Sequence, residues 1–122
     1  MKSLLSALVL LPAILLATPA AAQVAGSWQV SGKIGSKAFL TNCQFTPNNT
    51  GFGGVCVESK TGKHHALAKG SIAGSQVQWS YPVSFMMMTF DVNFAGTLSG
   101  NSITGTVAAS GHDGTFTATR TP

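Results

Sequence analysis

Thr41-Asn42-Cys43-Gln44-Phe45-Thr46-Pro47-Asn48-Asn49-Thr50-Gly51-Phe52-Gly53-Gly54-Val55-Cys56 is the stretch that decides how this chain is laid out. Asn49-Thr50 reads as a two-residue hairpin turn, because asparagine tolerates positive φ and Gly51 relaxes the exit. Pairing residue 48 with 51 makes facing numbers sum to 99, and Cys43 with Cys56 obeys the same sum. Counting back from the turn puts the cysteines at a non-hydrogen-bonded pair, where side chains lie close enough to bridge. One antiparallel register therefore satisfies the turn and predicts a disulfide. It also turns Phe52, Cys56 and Glu58 inward and Val55 and Val57 outward. A bulge at Gly53-Gly54 would return the valines to the core, and the sequence leaves both arrangements open.

Residues 1–22 read as an export signal. Met1-Lys2 is a positive start, Leu4 to Leu16 an apolar run, and Ala20-Ala21-Ala22 a small-residue cleavage site before Gln23. Pro12 and the shortness of the run argue against a membrane span, which takes about 20 apolar residues. The mature chain is then one domain, residues 23–122. A paired cysteine in a periplasmic or extracellular space is expected as a disulfide rather than a metal site. Without Lys2, six basic and three acidic residues leave a net charge of +3. They form no basic stripe, so no nucleic-acid partner is expected.

After residue 22 no window places apolar residues at helical spacing. Alternation with period two recurs every 8–14 residues, the mark of an all-β barrel or sandwich. Each hairpin can be registered in turn. Strand one (28–34) turns at Gly35-Ser36, setting Trp28 opposite Cys43 and Val30 opposite Thr41. A loop at 59–63 leads to strand four (64–73), and Gly74-Ser75 returns it as strand five (76–85), with Gly70 opposite Trp79 and His64 opposite Phe85. Strand six (88–99) turns at Gly100-Asn101 into strand seven, and strand eight (114–120) follows a loop at 110–113. The large apolar side chains then share one face. Eight hairpin-linked strands with one apolar face predict an antiparallel up-and-down β-barrel, whose interior is filled or holds one small ligand.

Gly26-Ser27-Trp28 opens the first strand and Arg120 closes the last. This resembles the calycins, the lipocalin and avidin-like barrels, in which a G-x-W tryptophan sits at the closed end beneath a basic residue of the last strand. The resemblance implies that Trp28 and Arg120 are structural partners. The chain also looks like small secreted bacterial β-barrel proteins with a Cys-x-Phe hairpin and a final Gly-x-Phe-x-Ala strand, a likeness covering nearly all of residues 25–120. It departs from a lipocalin in its shorter length and missing C-terminal helix, and from an avidin in lacking the polar biotin-recognising set.

Tight turns gather at one end of this barrel and the longer loops at the other, where His64, His65, His112, Glu58, Asp91 and Asp113 all map. That end is the expected mouth. A small hydrophobic or aromatic ligand would be lined by Trp79, Tyr81, Val83, Phe85, Met88 and Phe90, with His64 as polar handle. If the protein is instead an enzyme, His64 and Glu58 are the base and its orienter for a cofactor-free isomerase, cyclase or lyase. A third reading is a protease-inhibitor-like module using the short arm Gln23-Val24-Ala25. Met86-Met87-Met88 suggests thioether metal ligands, but successive strand residues point to opposite faces, so an apolar rim is the better reading. Nothing in the pattern requires a metal or cofactor.

Overall fold

The period-two alternation is realised as a single antiparallel sheet in the computed structural model, which describes residues 20–122. The expected export signal lies outside the described residues up to position 19; Ala20–Gln23 form one 3₁₀ turn. Nine strands follow: β1 (Gly26–Ile34), β2 (Lys37–Asn48), β3 (Gly51–Glu58), β4 (His64–Ala66), β5 (Lys69–Ala73), β6 (Gln76–Phe85), β7 (Met88–Ser99), β8 (Ser102–Ala109) and β9 (His112–Arg120). Their order in the sheet is β4-β3-β2-β1-β9-β8-β7-β6-β5. The sheet is a meander curled into a half-barrel. Among the described residues no helix is long and apolar enough to cross a membrane.

The cystine hairpin has the expected register. Cys43 pairs with Cys56 and Asn48 with Gly51, the ladder runs without a bulge, and the two sulfurs are bonded. Their Cα atoms stand 4.0 Å apart, in keeping with a close, non-hydrogen-bonded pair. The choice left open by Gly53-Gly54 is thereby decided: Cys56 and Phe52 are buried and Val55 is not. The turn works differently from expectation. Asn49 does not take positive φ; instead Asn48 Oδ1 accepts the Thr50 N–H at 2.9 Å, an Asx turn.

Two features correct the eight-stranded closed barrel. The segment expected as one strand over 64–73 is two, because it changes partner midway. β4 pairs with β3, and Leu67 N–H extends that ladder to the Gly54 carbonyl at 2.9 Å. β5 pairs with β6, and Ala68 N–H extends that ladder to the Ser80 carbonyl at 2.8 Å. The chain itself therefore crosses between the two edges of the sheet, and the barrel is not closed by a ladder. β5 passes close to β3 here, because a Cβ on Gly51 would strike the Gly70 carbonyl and one on Gly70 the Phe52 carbonyl. The second correction concerns the 110–113 loop. It shrinks to Ser110-Gly111, both at positive φ, so β9 starts at His112 and pairs it with Ala109.

Rings fill the inside of the curl. Trp79 stacks on Phe94 with centroids 4.8 Å apart, and Phe45 and Phe116 close on it at 5.2 and 5.3 Å. Phe45 in turn packs on Phe52 at 4.9 Å. Burying each ring contributes about 1.5–3 kcal/mol, so this cluster is the main source of cohesion. At one end Trp28, fully buried, donates from Nε1 to the Val24 carbonyl at 2.9 Å. Its register partner Arg120 lies over the indole, Cζ 4.3 Å from the centroid. Arg120 also donates to the carbonyls of Ala25 and Gln23 at 2.7 and 2.6 Å and to Asn101 Oδ1 at 3.0 Å. The arm Gln23-Val24-Ala25 is thus fastened across this end.

Candidate functional site

At the opposite end, β3 runs out at Glu58 and the chain returns as β4 through a five-residue loop. Glu58 N–H donates to the Lys63 carbonyl and Gly62 N–H to the Glu58 carbonyl, each at 2.9 Å, so the loop is a closed turn with a set exit. Its exit register places Val57 opposite His64 and Cys56 opposite His65. Because Cys56 faces inward, so does His65, and His64 projects from the outer face. The inward position expected of His64 is therefore held by its neighbour, which is 8% exposed.

His65 is held on two sides. Its ring stacks on Tyr81 with centroids 4.8 Å apart and planes 10° from parallel. Its Nε2 lies 2.5 Å from Glu58 Oε2. An ionised carboxylate only accepts, so Nε2 carries a proton and donates to it. Thr61 Oγ1 donates to the other carboxylate oxygen at 2.9 Å. The bond from His65 is the largest influence holding the Glu58 carboxyl below its ordinary range; desolvation works against it, while Thr61 and the charges of His65 and Lys63 reinforce it. Burial, with a smaller contribution from the Glu58 charge, pushes the Tyr81 hydroxyl far above its usual range. Tyr81 is accordingly a neutral donor at any physiological pH.

The surroundings sort the expected lining residues into four places. Tyr81 is buried beneath His65; Val83 and Phe90, paired across β6 and β7, are half-buried at the same end of the sheet, as are Ile34 and Phe39 beside the β1–β2 turn. Trp79 lies deeper, in the middle of the aromatic core, and its indole N–H has no partner. Phe85 and Met88 form the exposed tip of the β6–β7 hairpin. His64 stands outside the curl. Two grooves lie on the polar outer face, one along Asn42, Gln44 and Val57 and the other along Ser71, Gln78 and Asn93. Neither is lined by Glu58, His65 or Tyr81. Among the described residues no three His, Cys, Asp or Glu side chains gather as metal ligands would.

His65 was within reach of the sequence. Registering strand four against strand three across the 59–63 loop, rather than against strand five, sets His65 opposite Cys56. The arrangement that results is a carboxylate–imidazole pair stacked on a tyrosine, with the carboxylate part-open to solvent. Compared with protein-family models, curated proteins and solved structures, the chain matches none.

Proposed function

We propose that this protein is an exported binding protein that takes a small hydrophobic or aromatic molecule at the rim of its half-barrel, beside Glu58 and His65. The observation that carries the reading is that pair: an imidazole stacked on Tyr81 and a part-exposed carboxylate 2.5 Å from it, at the end of the sheet where Ile34, Phe39, Val83 and Phe90 are half-buried. A few convergent polar groups in an apolar surround are what orient a small ligand. The filled interior favours a shallow occupant of one or two rings over a long chain threaded along the axis. The polar handle in this reading is His65, in place of His64, with Tyr81 beneath it. The cystine, with the export signal expected from the sequence, favours action in the periplasm or outside the cell. The Trp28–Arg120 contact supports kinship with the calycins, since a half-barrel meander is compatible with that fold.

Titration of the protein with a panel of small phenols, indoles and naphthalenes tests the reading. Saturable binding that is lost in His65→Ala and kept in His64→Ala supports it; no binding across the panel, or equal loss in both variants, refutes it.

The same pair favours a second reading, a cofactor-free isomerase, cyclase or lyase. Glu58 would orient the ring through Nε2 while Nδ1 takes a proton from an apolar substrate. Turnover abolished in His65→Ala, with binding of product retained, separates catalysis from capture.

A further inference from the structure

The β6–β7 hairpin ends in four consecutive large apolar residues that nothing covers. Phe85, Met86, Met87 and Met88 are 65%, 78%, 104% and 68% exposed; the only other exposed large apolar side chain among the described residues is Leu40. Single exposed apolar residues are ordinary, but a contiguous group at a protruding tip is not. The backbone makes the choice of residues stranger. Met86 and Met87 have φ of 51° and 66°, both in the left-handed region that side chains avoid. Asn-Gly is the usual solution for such a turn; of the other two-residue turns, those at 35–36, 74–75, 100–101 and 110–111 each contain a glycine, and Asn49-Thr50 takes no positive φ. Two methionines at this turn serve neither local conformation nor core packing.

The charges at this end complete the picture. The β1–β2, β3–β4, β6–β7 and β8–β9 turns all lie at one end of the meander. At this same end they carry Lys33, Lys37, Lys60 and Lys63, all exposed, together with exposed His64 and His112. These lysines are four of the six basic residues after position 22. Of the acids at this end, Glu58 is engaged by His65 and Thr61, which leaves Asp113 and Asp91 facing water.

We infer that this end docks on an anionic phospholipid bilayer, with the Phe85–Met88 tip entering the boundary between headgroups and acyl chains while the lysines meet lipid phosphates. A convex tip without hydrogen-bonding side chains suits a fluid apolar phase better than a shaped protein pocket, and flexible methionines conform to it. The exposed lysines at this end supply attraction to negative headgroups that falls with salt. The inference does not depend on the rim holding a ligand.

Flotation with vesicles tests it. Wild-type protein should float with vesicles of equal parts phosphatidylglycerol and phosphatidylcholine and not with phosphatidylcholine alone. Met86→Asn/Met87→Gly should weaken that binding at least about tenfold while leaving the fold intact, since Asn-Gly suits the turn. Lys60→Gln/Lys63→Gln should weaken it and flatten its salt dependence. No flotation of the wild type, equal flotation with neutral vesicles, or unchanged flotation of the methionine variant overturns the inference. A dimer that the methionine variant dissolves, without vesicle binding, would assign the tip to self-association and overturn it equally.

Discussion

Met86→Asn/Met87→Gly should make the protein more stable, although it removes two large apolar side chains. Both side chains are exposed, so little burial is lost. Both residues sit at left-handed φ, which costs about 1–2 kcal/mol for each non-glycine residue. Asparagine recovers part of that cost through local hydrogen bonding, and glycine recovers all of it but loses about 0.5–1 kcal/mol through the greater freedom of the unfolded chain. The net expectation is a gain of about 1 kcal/mol. With a urea m-value of about 1–1.5 kcal/mol/M for a domain this size, the unfolding midpoint should rise by about 0.7–1 M. Equilibrium urea unfolding followed by tryptophan fluorescence reads it directly. A midpoint unchanged or lowered, at constant m, would show that the turn is unstrained or its methionines packed, and the argument from strain would fail. A gain in stability alongside lost vesicle binding is the trade-off expected where a surface is kept for use rather than for folding.

Removing the cystine with Cys43→Ala/Cys56→Ala releases a loop closed over a sequence separation of 13 and should cost about 3 kcal/mol on the chain-entropy account, measured by urea unfolding against the oxidised wild type. Arg120→Met removes the guanidinium from the Trp28 face and from the carbonyls of Gln23 and Ala25; a loss of about 2–4 kcal/mol is expected, with protease nicking near residue 25 as a second readout. In the folded protein the hydrogen bond from His65 holds the Glu58 carboxyl below its ordinary value of 4.5. Its ionised form therefore stabilises the fold above that pH, and the contribution is lost as pH falls through the lower folded value. Wild-type unfolding midpoints should fall more steeply than those of Glu58→Gln as pH drops below about 4.5; parallel curves would contradict the Glu58–His65 bond.

The hairpin registers were legible because each rests on two agreeing signals, a turn and a face. The cystine hairpin, Gly70 opposite Trp79, and Leu98 opposite Ile103 all have such support, and each pairing is present. The break at Leu67-Ala68 had no comparable mark. Ala66, Ala68, Gly70 and Ala73 are too small to declare a face, and His64-His65 offers an imidazole to either parity. A one-residue slip across that stretch reverses every side chain before it, so parity read from strand five turns His64 inward where the fold turns His65 inward. The short 110–111 turn was obscured by Asp113-Gly114, a strong turn dipeptide that here lies within β9. Parity showed which rings face inward; that Trp79, Phe94, Phe45 and Phe116 also fill the space depends on volumes and on how tightly the sheet curls, and alternation reports neither. The left-handed Met86-Met87 turn was hidden because methionine gives no turn signal.

The reading of the rim is most directly tested by a nuclear Overhauser spectrum of the protein, alone and with a saturating small aromatic ligand. Cross-peaks between the ring protons of His65 and Tyr81 are expected in both samples, with ligand contacts to His65, Phe39 and Phe90 in the second. Ligand contacts to His64 instead, or a His65 ring with no neighbour in Tyr81, would contradict the account.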